Sequence, residues 1–117
     1  MLEARGVDGT VQFDGATVVI SFTGLIRFQR RIRRRAVDEI RIPVAELSDV
    51  QFQPSSLMWN GYLRFVVKGV ETAEPPPDAK PVVAVKFAVR DPNAVVFSRY
   101  QDQEFAALHD AVVAAMP

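Results

Sequence analysis

Six arginines fall within nine residues: Arg27, Arg30, Arg31, Arg33, Arg34 and Arg35. A guanidinium presents a planar fork of donors that matches a phosphate or carboxylate, and it stays charged at every physiological pH. The segment therefore predicts a surface that attracts anionic groups. The chain holds 14 basic and 14 acidic residues, so outside this segment eight bases face fourteen acids. Such segregation excludes a uniformly basic nucleic-acid binder and leaves a local basic patch. On a helix, Leu25, Phe28, Ile32 and Ala36 share one face and Arg27, Arg30, Arg31 and Arg34 the opposite one. A strand would group Ile26, Phe28 and Ile32 but place Arg30 among them. The helical pattern is the cleaner of the two, and both stay open. The plainer role for these arginines is a solvated face paired with the acidic remainder.

Trp59 is the second residue of chemical interest. It stands beside Asn60-Gly61, a dipeptide suited to a hairpin turn. An aromatic at an exposed hairpin tip makes partner contacts, whereas one folded back covers a sheet edge. Little else can do chemistry. His109 is the single histidine and there is no cysteine, which excludes a Cys/His zinc site and a thiol nucleophile. The serines have no nucleophile-elbow context, and neither phosphate-cradling glycine motif occurs. Asp38 and Glu39 are adjacent, so on a strand they point to opposite faces. No catalytic constellation is found, and no cofactor is expected.

The elements that must position these residues read mainly as strands. A length of 117 residues suits one domain over 1–117, and an apolar content of 49% suits a globular core. Val11 and Phe13 precede Asp14-Gly15, and Val18, Ile20 and Phe22 follow, which predicts a hairpin with a two-residue turn. Ile40 and Ile42 lead to Pro43, and residues 44–47 suggest a short helical turn. Val50 and Phe52 resume the two-residue period before Pro54-Ser55-Ser56. Leu63, Phe65 and Val67 alternate with Tyr62, Arg64 and Lys68, the clearest strand of the chain. Residues 70–80 contain three consecutive prolines and read as a solvated loop between strands. Val82–Val89 and Val95–Tyr100 read as further strands around an Asp91-Pro92-Asn93-Ala94 turn. The last element is an amphipathic helix from Asp102, its expected N-cap, to about Ala115, with Phe105, Leu108, Val112 and Ala115 along its apolar stripe.

About seven short strands followed by one C-terminal helix is the order of a pleckstrin-homology (PH)-like fold. Four stretches, DGTVQFDGATVVI, IPVAELSDVQFQP, GYLRFVV and FAALHDAVVAAM, together resemble a bacterial PH-like domain family of unknown function. That family is common in actinobacteria and their phages and often occurs with short C-terminal (SHOCT) domains. The resemblance implies a bent antiparallel sandwich or partly open barrel capped by the last helix. It implies no established activity. The arginine segment departs from the family pattern in being longer and more basic.

These readings together lead to an expectation. The chain is a cytoplasmic, non-catalytic interaction module that docks on a protein partner through the arginine segment and the Trp59 hairpin, with oligomer formation left open. The alternative is a binder of anionic ligands: a phosphoinositide-like headgroup, an anionic membrane or nucleic acid. No apolar run approaches the roughly 20 residues of a membrane helix, and the first ten residues carry no apolar leader core. Changing Arg27, Arg30, Arg31 and Arg34 together to glutamine is expected to keep the melting temperature within a few degrees, since exposed substitutions usually change stability by about 0.5 kcal/mol or less each. It is expected to weaken binding to an acidic surface, more at low salt than at high salt. Thermal melts and salt-dependent binding of the variant check both statements.

Overall fold

A computed structural model describes residues 1–22, 39–70 and 74–117. The arginine segment therefore lies outside the described residues. Two antiparallel sheets face one another and form no closed barrel. The first follows chain order: β1 (Leu2–Arg5), β2 (Gly9–Phe13), β3 (Thr17–Phe22) and β4 (Glu39–Pro43). Its two-residue period puts Ala4, Val11, Phe13, Val18, Ile20, Phe22 and Ile42 on the buried side. Val11 stands opposite Ile20 and Phe13 opposite Val18, so the inward rows meet across the strands.

The β2–β3 turn sits one residue later than the Asp-Gly signal predicts. Gly15 and Ala16 are its central residues, closed by Asp14 N–H on the Thr17 carbonyl at 3.4 Å, and Gly15 takes φ 101°. Only glycine adopts that angle without a steric cost. The Asp14 carboxylate accepts from Ala16 N–H at 2.9 Å and Thr17 N–H at 2.8 Å, and these two bonds hold its carboxyl below the ordinary carboxylate range.

After β4 the chain makes a 3-10 turn, Val44–Glu46, and enters the second sheet: β5 (Leu47–Gln53), β6 (Gly61–Val67) and β7 (Ala94–Phe97). The β1–β2 connection joins the two sheets. Val7 N–H donates to the Val96 carbonyl at 2.8 Å, and the buried Asp8 carboxylate accepts from Val96 N–H at 2.9 Å. The free edge of β7 is thereby covered, which removes an aggregation-prone strand edge.

Helix α2 (Asp102–Ala115) closes the core, packed across β5 and β1. Phe105, Leu108 and Val112 are buried as expected, while Ala115 is exposed. The Phe105 ring stacks on Phe97 at 4.4 Å, and Phe97 in turn lies 5.6 Å from Phe52. The mainly β class with a C-terminal helix is thus as the residue pattern predicts.

Four local expectations are corrected. Residues 82–89 are not a strand but lie within helix α1 (Pro81–Arg90). Pro81 occupies the first helical position, where its missing N–H costs nothing. Ala84 and Ala88, one turn apart, are buried with Tyr62, Ala94 and Val96 on the outer face of the second sheet. The intrinsic strand preference of valine is weak against that burial. The proline run accordingly links β6 to a helix, not to a strand. Strand β1 adds to the elements that the residue pattern predicts: only Ala4 of its four residues is buried, and no alternation marks it. Residues 99–101 form a 3-10 turn instead of extending β7. Finally, Asn60-Gly61 is no two-residue hairpin: seven residues, 54–60, join β5 to β6, and Gly61 pairs with Phe97 inside the strand. A side chain at Gly61 would collide with the Gln53 carbonyl and the Phe97 ring, so close approach explains the glycine.

Phe105→Ala is expected to destabilise the protein by about 3–5 kcal/mol, since it removes the ring that stacks on Phe97 at the centre of the core. Urea denaturation of the variant, read as a shift of the midpoint, checks this.

Candidate functional site

The 54–60 loop is built to hold apolar side chains away from the core. At its base, Asp102 accepts from Ser55 N–H at 3.1 Å and from the Ser55 hydroxyl at 2.7 Å. Further out, Ser56 N–H donates to the Trp59 carbonyl at 2.8 Å and Trp59 N–H to the Ser56 hydroxyl at 3.1 Å. The chain between is pinched into a tight tip. Leu57 is 87% exposed, Met58 80% and Trp59 41%. Three adjacent large apolar residues so presented form a patch, unlike a single exposed leucine. Trp59, the residue that the sequence points to, is therefore on the surface, and Leu57 and Met58 stand out further than it does.

The bond to Ser55 changes the role expected of Asp102. The N-terminal cap is supplied earlier, by a capping box in which Ser98 N–H donates to the Gln101 side chain at 2.9 Å. Asp102 is then free to tie the loop to the start of α2. The same turn presents Tyr100, mostly exposed, with the Arg99 guanidinium 5.0 Å from its ring centre.

A second feature lies on the outer face of the second sheet. Arg64, in the middle of β6, faces Gln51 on β5 and Ala94 on β7. Its side chain is 4% exposed. Its Nε donates to Asp91 at 2.7 Å, and its Nη1 to Gln51 at 2.9 Å and Glu74 at 3.2 Å. Asp91 follows the last turn of α1 and is itself buried, and its second oxygen accepts from Asn93 N–H at 2.8 Å. The Asp-Pro-Asn turn is thus formed as predicted, but its carboxylate also neutralises a buried arginine. Glu74 belongs to the proline-bearing segment and is 57% exposed. Between this segment and the sheet is a groove of about 200 Å³ lined by Gln51, Gln53, Tyr62, Arg64 and Pro75–Pro77. Burial pushes the Tyr62 phenol above its ordinary pKa, so it is a neutral hydroxyl at physiological pH.

The alternation of Leu63, Phe65 and Val67 with Tyr62, Arg64 and Lys68 only sets Arg64 on the opposite face of the strand and does not reveal this cluster. A signal was present: Arg64 is the one charged residue in GYLRFVV. His109, by contrast, is half-buried on α2, 5.8 Å from the Phe52 ring, with Nδ1 3.0 Å from the Asp110 carboxylate. Among the described residues no cluster of His, Asp and Glu could hold a metal ion, and no helix is long and apolar enough to cross a membrane.

Residues 11–113 match the model of a family described as a domain of unknown function, DUF4429, and the chain belongs to that family. No curated protein and no solved structure matches it.

Asp91→Ala is expected to cost about 3–5 kcal/mol, because it leaves the Arg64 charge buried without its closest counter-ion. Glu74→Ala is expected to cost about 1 kcal/mol or less, since that partner is mostly solvated. Parallel urea titrations of the two variants test the contrast.

Proposed function

We propose that this chain is a non-catalytic, PH-like interaction module that docks on a protein partner. The exposure of Leu57, Met58 and Trp59 on a loop braced from both sides carries this reading. A loop tip held in one shape by Ser55, Ser56 and Asp102 has little conformational freedom to lose on binding, which favours affinity. Leucine, methionine and tryptophan side chains fill apolar pockets, and tryptophan is enriched among the residues that dominate interface energies. The six arginines at 27–35 form the second part of the docking surface, steering an acidic partner toward it. The PH-like assignment is supported by two antiparallel sheets with a helix packed across one side. The likeness to actinobacterial and phage domains, and a cytoplasmic setting, belong to the same proposal. An anionic ligand is the competing reading, and the arginines favour it.

A pull-down from the native host with wild-type protein and with a Leu57→Ser, Met58→Ser, Trp59→Ser variant, read by mass spectrometry, supplies the partner for a binding titration. The variant is expected to melt like wild type and to bind at least about tenfold more weakly, a loss of similar size at low and high salt because the side chains removed are apolar. Unchanged affinity would refute the tip as the contact surface. Binding to anionic vesicles that survives the triple change and falls steeply with salt would establish the competing reading.

A further inference from the structure

We propose that the groove beside the proline run is a carboxylate-binding site, which the chain covers with its own Glu74. The guanidinium of Arg64 is set in place by groups that cannot readily move: Asp91 at the end of α1 and Gln51 on the adjoining strand. Both charges of the Arg64–Asp91 pair are already withdrawn from water, at 4% and 6% side-chain exposure. A ligand that reaches Arg64 therefore meets a donor whose desolvation was met when the protein folded, and such pre-set donors bind charged groups strongly.

Glu74 differs from these partners in every respect. Its contact is the longest at 3.2 Å, its side chain is more than half exposed, and it comes from a segment outside any helix or strand. An exposed carboxylate gains little from such a pair, so a second carboxylate can take its place. The groove beside it, about 200 Å³, has room for several groups of water size at roughly 30 Å³ each. Tyr62 offers a hydroxyl, and Gln51 and Gln53 offer amides, for the rest of such a ligand.

The same charges select against phosphate. A carboxylate restores the single negative charge that Glu74 brings. A phosphate adds up to about two, close to the Asp91 carboxylate, and like charges at that range repel. The ligand class is thus a monocarboxylate, either an acidic side chain or a chain terminus. None of Leu57, Met58 and Trp59 lines this groove, and the proposal stands independently of what docks at the tip.

The test follows the Arg64 Nε–H resonance by NMR in wild-type protein and in Glu74→Ala at constant ionic strength. The probes are acetyl-glutamate amide, acetyl-glycyl-glycine with its free terminal carboxylate, and inorganic phosphate. Saturable shifts with at least one carboxylate probe are expected, and about fivefold tighter in Glu74→Ala, because the internal competitor is gone. A response to the first probe alone assigns the ligand as an acidic side chain, and to the second alone as a chain terminus. Absence of saturation with both carboxylates, equal affinity in the two proteins, or tighter binding of phosphate would overturn the proposal.

Discussion

Strand β7 has no solvent-facing side, and much of the structure follows from that constraint. Ala94, Val95, Val96 and Phe97 are all buried. Val95 and Phe97 face the space between the sheets, where Phe105 of α2 stacks on Phe97 at 4.4 Å. Ala94 and Val96 face the other way and need a cover of their own. Helix α1 provides it, with Ala84 and Ala88 small enough to let its backbone approach closely. The third exposed element of the strand, its hydrogen-bonding edge, is met by Val7 N–H and the Asp8 carboxylate. Terminal helix, internal helix and first hairpin are thus all fixed relative to one strand of four residues.

Once α1 lies on the sheet, Arg64 becomes an interior residue. Its neighbour two positions away, Tyr62, packs in the apolar cluster under α1, so the guanidinium is drawn to the margin of that cluster. A charge there is tolerable only with a counter-ion, and Asp91 is delivered by the end of the same helix. The pair also offsets an unfavourable placement, since a carboxylate at a helix C-terminus faces the negative end of its dipole. Arg64 holds together β5, β6, the end of α1 and the proline-bearing segment through side-chain bonds. The second sheet is therefore held by apolar packing on both faces, with an ionic network at the margin of the outer one.

The exposed tip and the groove use this scaffold differently. The 57–59 tip projects from β5 and β6 and is fastened to α2 by the Ser55–Asp102 bonds, so it is a rigid extension of the core. The groove has the proline-bearing segment as one wall, and the Glu74 that this segment sends to Arg64 is an exposed side chain. A tip tied to a helix suits a surface that must match a partner's shape, whereas an exposed carboxylate over a buried guanidinium is a contact that another carboxylate can replace.

Much of this arrangement was legible in the residues alone. The two-residue period of 11–22, 50–52 and 63–67 set strands with the correct inward rows, and Phe105, Leu108 and Val112 marked the buried stripe of α2. Those patterns are local, and the interior they face is the common core, so periodicity suffices. Trp59 was recognisable as a surface candidate because turn residues flank it. The valines of 82–89 were misleading, since alternation cannot distinguish a strand from a helix that covers a sheet; only the apolar outer face of β6 and β7 decides between them. Arg64 and Asp91 are 27 residues apart, and nothing local to either announces the other. Their meeting, like the Ser55–Asp102 bond across 47 residues, exists only once the second sheet and its helices have assembled. Burial of a charge is a property of what covers it, and that is settled by tertiary packing.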